Sequence, residues 1–211
     1  DIQAALGLIT QTLLFFLIVA MALSNGAVST ISQSLGAGKP VRAKRYIGLC
    51  ILLVLGAGML LLVSGLALRE HLLALLQVPA RIEDVTAEYL LIYLALTPLY
   101  YLFIVSNAVF RAQKQVHIPL LSMMLVTGLN TWGDFGLCFG GYGLPRIGYM
   151  GLAWATLISV IGGCLFNTAI LAWRGWLRIA HFPPLRWIRK GLPYLWRVAW
   201  PAGLMQILWH T

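Results

Sequence analysis

The sequence predicts an all-α polytopic membrane protein. Its composition is 60% hydrophobic and only 10% charged, and its mean hydropathy is +0.85, whereas soluble globular chains carry about 25% charged residues. The apolar residues form long runs, and a helix needs about 20 apolar residues to cross a bilayer. The basic residues, which give a net charge of +9, lie between these runs and do not form one face. We therefore expect membrane lipid as a partner and no nucleic acid.

Five apolar segments are long enough to span the membrane and together predict a partial transmembrane bundle over residues 1–177. We assign the spans to residues 6–35, 46–76, 85–110, 119–140 and 150–173. Pro98 lies inside the third span, where a proline frees a backbone carbonyl and usually kinks the helix.

The segment after the fifth span is basic and aromatic. We interpret residues 178–195 as a cytoplasmic connector along the membrane surface, where Trp and Arg are favoured; a specific anionic-lipid or nucleotide site is the alternative. Residues 196–211 contain a truncated start of a further helix, because their apolar run is too short to span. The sequence stops within this run, so we expect it to be a fragment of a longer protein.

The connectors alternate in charge along the chain. Twelve of the fifteen Lys and Arg residues follow the first, third and fifth spans, and three lie at the other connectors. By the positive-inside rule, the connectors after residues 38, 110 and 173 are cytoplasmic, in a cell (inner or plasma) membrane. Asp134 then lies in the outer half of the bilayer.

The fourth span carries the strongest candidate site. Asn130 and Asp134 are four residues apart, so both side chains lie on one face of a helix, and Asp134 is the only acidic residue of this span. A carboxylate at membrane depth needs a partner, a bound cation or a proton. A hard cation such as Na⁺ takes carboxylate, amide and hydroxyl oxygens, whereas a proton site needs only a desolvated carboxylate. The alternatives are a polar stripe that joins two helices and an acid near a helix end.

Other kinds of chemistry have little support. The three Cys residues fall singly in three different apolar segments, which is neither a metal spacing nor a disulfide framework. The Ser and His residues show no nucleophile elbow or metal spacing. We therefore expect no enzyme activity, no catalytic residue and no cofactor.

Several segments resemble the multidrug and toxic compound extrusion (MATE) transporters. SNGAVSTISQSLGAGKPVRAKR is similar to the second helix of that family, and FRAQKQVHIPL is similar to the junction of its fourth and fifth helices. GLNTWGDFGLCFGGYGLPRIGYMGLAWAT resembles its fifth helix, outer loop and start of the sixth, which is the most specific match. WRVAWPAGLM resembles the start of its seventh helix. The junction reads RAQKQ, where the family more commonly has RA-x-G-D.

The resemblance implies a fold and a function. The chain would supply helices two to six and the start of seven, which is most of the amino-terminal six-helix bundle of a twelve-helix transporter. Its partner would be the remaining half of the same transporter chain. The family exports drugs and other toxic organic compounds, often cationic and amphipathic small molecules, by antiport coupled to Na⁺ or H⁺ and by alternating access.

The resemblance also implies site residues. Asn130 and Asp134 match the amino-terminal cation site of the family and would hold Na⁺ in a sodium-coupled member. Thr156 matches a sixth-helix threonine of that site, and Asn107 matches a fourth-helix polar position. An acidic partner on helix one would precede Asp1.

Two other classes of protein stay open. A lipid-linked oligosaccharide flippase has a related architecture and would line its cavity with cationic residues, whereas here the basic residues lie at the connectors. A non-transporting membrane scaffold or receptor would tolerate replacement of Asp134.

Overall fold

The computed structural model describes residues 2–75, 83–177 and 182–210, and the regular structure within these ranges is helical, as predicted. The helices follow one another in the chain as α1 (Ile2–Gly36), α2 (Pro40–Ala67), α3 (Arg69–Leu75), α4 (Glu83–Ala112), α5 (His117–Phe139), α6 (Met150–Trp173) and α7 (Leu185–His210).

Three of the helices, α2, α4 and α6, are long and apolar enough to cross a membrane by length and composition, among the residues that the structure describes. They correspond to the second, third and fifth predicted spans. Helices α1 and α5 occupy the first and fourth predicted spans. Each predicted span is therefore occupied mainly by helix over its described residues, with a break in the second span and differences at the ends.

The second predicted span, residues 46–76, is longer at its carboxyl end than the helix that occupies it. Helix α2 ends at Ala67, and Arg69–Leu75 forms the separate short helix α3. The apolar residues continue through α3, so that hydropathy does not mark the break. At the amino end, α2 begins earlier than predicted, at Pro40, because a proline in the first turn is preorganised for a helix.

The predicted connector over residues 178–195 is partly helical. Helix α7 begins at Leu185, directly after two prolines, and continues to His210 with Pro193 and Pro201 inside it. The predicted start of the last helix at residue 196 is therefore late by about three turns. Residues 178–181 of the connector lie outside the described residues.

Helix α4 is the centre of the bundle and packs against α1, α2, α5 and α6. Its carboxyl half is almost fully buried from Val105 to Phe110. Pro98 lies inside this helix, and α2 comes close to it, because a Cβ added at Gly58 would lie 2.6 Å from Pro98 Cα. A glycine at this position thus permits close approach of two membrane helices.

The connectors with many basic residues meet at one end of the bundle, which we call the basic end (residues 36–46, 111–117, 174–177 and 182–197). The Arg174 guanidinium donates a hydrogen bond to Gln115 Oε1, which joins the end of α6 to the α4–α5 turn. Lys44 Nζ lies 5.5 Å from the ring centroid of Trp176, which joins α2 to the segment after α6. The Tyr89 hydroxyl donates to the Tyr149 carbonyl at the opposite end.

The α4–α5 turn contains a lysine in left-handed backbone conformation. Lys114 has a φ of 61°, which costs a residue with a Cβ about 1–2 kcal/mol. It stands at the position of the glycine in the RA-x-G-D junction that the sequence resembles. Lys114 therefore keeps the left-handed backbone conformation that suits glycine, and its Cβ adds strain there.

We expect Lys114→Gly to stabilise the protein by about 1 kcal/mol, because glycine adopts positive φ without a steric clash and loses part of the gain to unfolded-state entropy. The measurement is the apparent midpoint of thermal unfolding of the purified protein in detergent. Lys114→Ala removes the same charge but keeps a Cβ, so it should give no stabilisation. Equal gains from both variants would assign the effect to the charge and contradict the strain.

Candidate functional site

The candidate site lies at the interface of α5 and α6, which pack more extensively against each other than any other described pair of helices. Small residues bring the two backbones together. A Cβ added at Gly133 would lie 2.9 Å from Ala155 Cβ, and one added at Gly151 would lie 2.8 Å from the carbonyl carbon of Leu137. Polar side chains near these glycines can therefore meet across the interface.

Asn130 and Thr156 make this contact. Asn130 Nδ2 donates a hydrogen bond to Thr156 Oγ1 at 3.3 Å, and the Thr156 hydroxyl donates to the Leu152 carbonyl at 2.9 Å. The second bond fixes the hydroxyl proton within α6, so that the oxygen lone pairs of Thr156 face α5. The structure thus brings together two of the predicted site residues, and both carry oxygen atoms of the kind that coordinate a hard cation.

Asp134 lies one turn further along α5 and is half-buried. Its Oδ1 atom is buried and has no hydrogen-bond partner among the described residues. A buried carboxylate oxygen without a partner is costly. Asp134 is also five residues before Phe139, the last residue of α5. One alternative interpretation of the sequence is that Asp134 is simply an acid near a helix end, and this position fits it. The buried oxygen still needs a cation, a proton or a water molecule as its partner.

Asp134 faces a cleft of about 540 Å³ at the end of the bundle opposite the basic end. The cleft is lined by residues of α5, α6 and the loop between them, namely Thr131, Asp134, Phe135, Cys138, Phe139, Arg146, Gly148, Tyr149 and Leu152. An ion could reach the carboxylate through it. No group of three or more His, Cys, Asp and Glu side chains suited to a metal ion occurs within the described ranges.

Tyr93 of α4 also belongs to this site and was missed by the sequence analysis. Its hydroxyl lies beside the hydroxyl of Thr156, and it is close enough to Asp134 for an electrostatic interaction. Its ring stacks on Tyr89 with centroids 6.3 Å apart. The third predicted span contains four tyrosines, and nothing in the sequence distinguishes Tyr93 from the other three. Only the packing of α4 against α6 reveals that its hydroxyl lies beside Thr156.

Asn107 lies apart from the other three predicted residues. It is 3% exposed, and its Oδ1 accepts a hydrogen bond from Asn167 Nδ2 at 3.0 Å, while the same amide donates to Ser106 Oγ at 2.9 Å. Asn167 is eleven residues beyond Thr156 on α6, which is about 16 Å along the axis. Asn107 therefore belongs to a separate buried polar cluster between α4 and α6.

A second cleft, of about 340 Å³, lies between α1, α4 and α5. Asn107 and Arg111 line it on α4, and the Arg111 guanidinium donates to Ser24 Oγ of α1 at 3.0 Å. Its apolar lining includes Tyr100, Phe103 and Met123. The cleft thus combines an apolar wall with one cationic group near the basic end.

Comparison with known proteins identifies the family. The family model MatE matches residues 3–135, more than half of the chain. The chain is 26% identical, over 214 residues, to the probable multidrug resistance protein NorM of Thermotoga maritima, in an alignment that covers 99% of this chain and 45% of that protein. It therefore spans less than half the length of this relative.

Two solved structures match the fold in different conformations. One is an inward-facing conformation of a multidrug resistance MATE family transporter of the MOP superfamily, with a TM-score of 0.80 and 25% identity over 96% of this chain and 46% of that chain. The other is an outward-facing conformation of such a transporter, with a TM-score of 0.83 and 25% identity over 97% of this chain and 45% of that chain. These likenesses confirm the predicted fold class, an all-α polytopic membrane bundle, and the chain spans about half the length of these transporters. The chain therefore belongs to the MatE family of multi-pass membrane transporters.

Proposed function

We propose that this chain is the amino-terminal part of a cation-coupled antiporter that exports drugs or other toxic organic compounds by alternating access. The observation that carries the proposal is the buried Oδ1 of Asp134, which lacks a partner among the described residues. It lies one turn from the Asn130–Thr156 hydrogen bond. The export of drugs is supported by the name of the Thermotoga relative, a probable multidrug resistance protein.

The oxygen donors around Asp134 suit either Na⁺ or H⁺ as the coupling ion. Na⁺ would take the carboxylate, the amide oxygen of Asn130 and the hydroxyl oxygen of Thr156, which are hard ligands. A proton would bind to Asp134 alone, since desolvation favours the neutral form of a carboxyl group. In both cases the bound cation removes the cost of the buried negative charge.

The mechanism would be a linkage between cation binding and the conformation of the two halves of the transporter. A ligand shifts such an equilibrium only by the difference in its affinity for the two states. The chain has similar TM-scores, 0.80 and 0.83, against inward- and outward-facing structures, which supports a bundle that moves largely as one body against the remaining half of the transporter. Coupling would then arise if the cation favours one orientation and the drug favours the other.

We further propose that the basic end is cytoplasmic and that the membrane is the cell (inner or plasma) membrane. Twelve of the fifteen Lys and Arg residues belong to connectors of this end, and cytoplasmic loops carry such an excess. The cleft at Asp134 then opens toward the outside. A cation that enters down its gradient would reach Asp134 from that side.

A lipid-linked oligosaccharide flippase is the second candidate function, and one observation favours it. Arg111 lines the cleft between α1, α4 and α5, and a cationic group in a cavity suits an anionic lipid phosphate. Its hydrogen bond to Ser24 gives Arg111 a partner that ties α4 to α1, which is a structural role that needs no substrate.

The test is transport by the complete protein in proteoliposomes, with a fluorescent cationic dye and with Na⁺ and H⁺ gradients imposed one at a time. We expect dye movement to require one of the two gradients, and that gradient identifies the coupling ion. A fluorescent lipid-linked oligosaccharide is assayed in the same vesicles. Dye movement at the same rate with and without either gradient would contradict antiport. Translocation of the oligosaccharide without dye movement would instead establish the flippase function.

A further inference from the structure

The first half of α7 has one buried and one exposed face. Gly191, Leu195 and Ala199 are buried at a spacing of four residues, which places them on one side of a helix. Ala199 meets Gly26 of α1, where an added Cβ would lie 2.9 Å from its own Cβ. The opposite side is exposed and carries Arg186, Arg189, Lys190, Pro193, Trp196, Arg197 and Trp200. We call Arg186, Arg189, Lys190 and Arg197 the basic face of α7.

Helix α7 crosses α2 and does not run along it. Trp187 and Tyr194 are seven residues apart, about 10 Å along the helix axis. Both rings nevertheless contact Tyr46, with centroid distances of 4.8 and 6.3 Å. The Tyr194 hydroxyl also donates a hydrogen bond to Gln33 Oε1, near the end of α1. The first half of α7 is therefore anchored across the basic ends of two helices, with its basic face directed outward.

The positive charge of this face has no acidic residue nearby in the sequence. Residues 135–211 contain no Asp or Glu, and neither do residues 2–69, which form α1 and α2. The neighbouring Arg42 adds to the positive charge, and its guanidinium carbon lies 5.6 and 5.7 Å from the ring centroids of Tyr46 and Tyr194. A surface of this kind attracts anions.

Exposed tryptophans accompany the basic residues. Trp196 and Trp200 are 57% and 55% exposed and stack with centroids 5.9 Å apart. Trp173, at the end of α6, is 84% exposed. Trp173 suits the membrane–water interface, where tryptophan concentrates, and basic residues beside that interface attract anionic lipid. This combination favours a lipid surface over a soluble polyanion.

We propose that the basic face of α7 binds the headgroups of anionic phospholipids in the leaflet at the basic end, with Trp173 in the interface. The complementary charge is the headgroup phosphate, to which Arg and Lys donate charge-assisted hydrogen bonds. The proposal depends on the membrane location of the family and not on cation coupling at Asp134. Anionic lipid would hold α7 in place where it enters the second half of the transporter.

The test uses the complete transporter in nanodiscs of phosphatidylcholine, alone or with phosphatidylglycerol, and measures the lipid that stays bound after extraction into detergent by native mass spectrometry. The variant combines Arg186→Gln, Arg189→Gln and Lys190→Gln. The control combines Arg69→Gln, Arg81→Gln and Arg146→Gln, which removes three charges from the opposite connectors. We expect the retained phosphatidylglycerol to fall about tenfold in the first variant and to stay unchanged in the control, with a preference that weakens at high salt.

Several outcomes would overturn the proposal. These are equal retention in the two triple variants, no preference for phosphatidylglycerol in the native protein, or equal protection from thermal unfolding by inorganic phosphate or a short RNA without anionic lipid. If the first triple variant does not fold, Arg189→Gln alone should still lower the retention, and an unchanged value would again overturn the proposal. Asp134→Asn should retain native lipid binding, which separates this inference from the proposed transport function.

Discussion

Asp134→Asn should abolish gradient-driven dye efflux by the complete transporter while the protein still reaches the membrane. Asn has nearly the shape of Asp but carries no charge and takes up no proton, so it cannot respond to the coupling ion. Loss of a charged ligand costs about 1.5–3 kcal/mol. At about 1.4 kcal/mol per factor of ten, this corresponds to roughly a 10- to 100-fold loss of cation affinity. The measurement is the initial rate of efflux at matched membrane expression, under the gradient that drives the native protein.

The hydroxyl of Thr156 provides a second test of the site, and Thr168 on the same helix is its matched control. Thr156 and Thr168 both donate a hydrogen bond to the carbonyl four residues before them, but only Thr156 accepts one from Asn130. Thr156→Ala should raise the cation concentration at half-maximal efflux about 2- to 10-fold, in line with the loss of one neutral hydrogen bond. Thr168→Ala should leave it unchanged.

Native efflux by Asp134→Asn would contradict the first prediction. It would make Asp134 a structural residue and remove the cation site from α5.

The paired side chains of α5 were predictable because they need only the helical period. Residues four apart lie on one face of any helix, so Asn130 and Asp134 were placed together without knowledge of the fold. Thr156 was placed by the resemblance to a family. Its contact with Asn130 depends on the rotation of α6 about its axis, which is set by the small residues Gly133 and Ala155 at the interface.

The other residues near the site show what helical periodicity cannot predict. Asn107 and Tyr93 lie on the same helix, and the polar amide was the more conspicuous of the two in the sequence. The packing of α4 turns Tyr93 toward Thr156 and places Asn107 beside Asn167, further along α6. Which polar residue of a span joins a site is decided by its depth and by the neighbouring helix, and a single sequence gives neither.

Helix ends were predictable where the backbone demands a special residue. Helix α1 ends at Gly36, one residue beyond the predicted span, and Gly38 follows with a φ of 69°, a conformation that glycine adopts readily. The end of α2 at Ala67 has no such marker, since apolar residues continue into α3. Hydropathy measures whether a segment suits lipid and does not detect a break within an apolar run.

Gly133→Val should destabilise the interface of α5 and α6 on which the site depends. The first added carbon would lie 2.9 Å from Ala155 Cβ and 3.3 Å from Ala155 Cα, and both belong to a helix that cannot yield by rotating a side chain. Overpacking of this kind costs about 1–3 kcal/mol. It would also separate α5 from α6 and lengthen the 3.3 Å hydrogen bond between Asn130 and Thr156. We expect a lower thermal unfolding midpoint together with weaker cation dependence of efflux.

Gly128→Val is the matched control, because it adds the same side chain to the same helix. An added Cβ at Gly128 has no atom within 4 Å among those of the described residues, so the substitution should change the unfolding midpoint little. The interface is then tested by the difference between the two variants and not by the cost of valine in a helix. Equal losses of stability would show that close approach of α5 and α6 at Gly133 is not what holds the site together. Gly133→Val could also lose cation dependence while its unfolding midpoint stays native. A small shift of α6 would then have moved Thr156 away from Asn130, and the variant would separate the geometry of the site from the stability of the bundle.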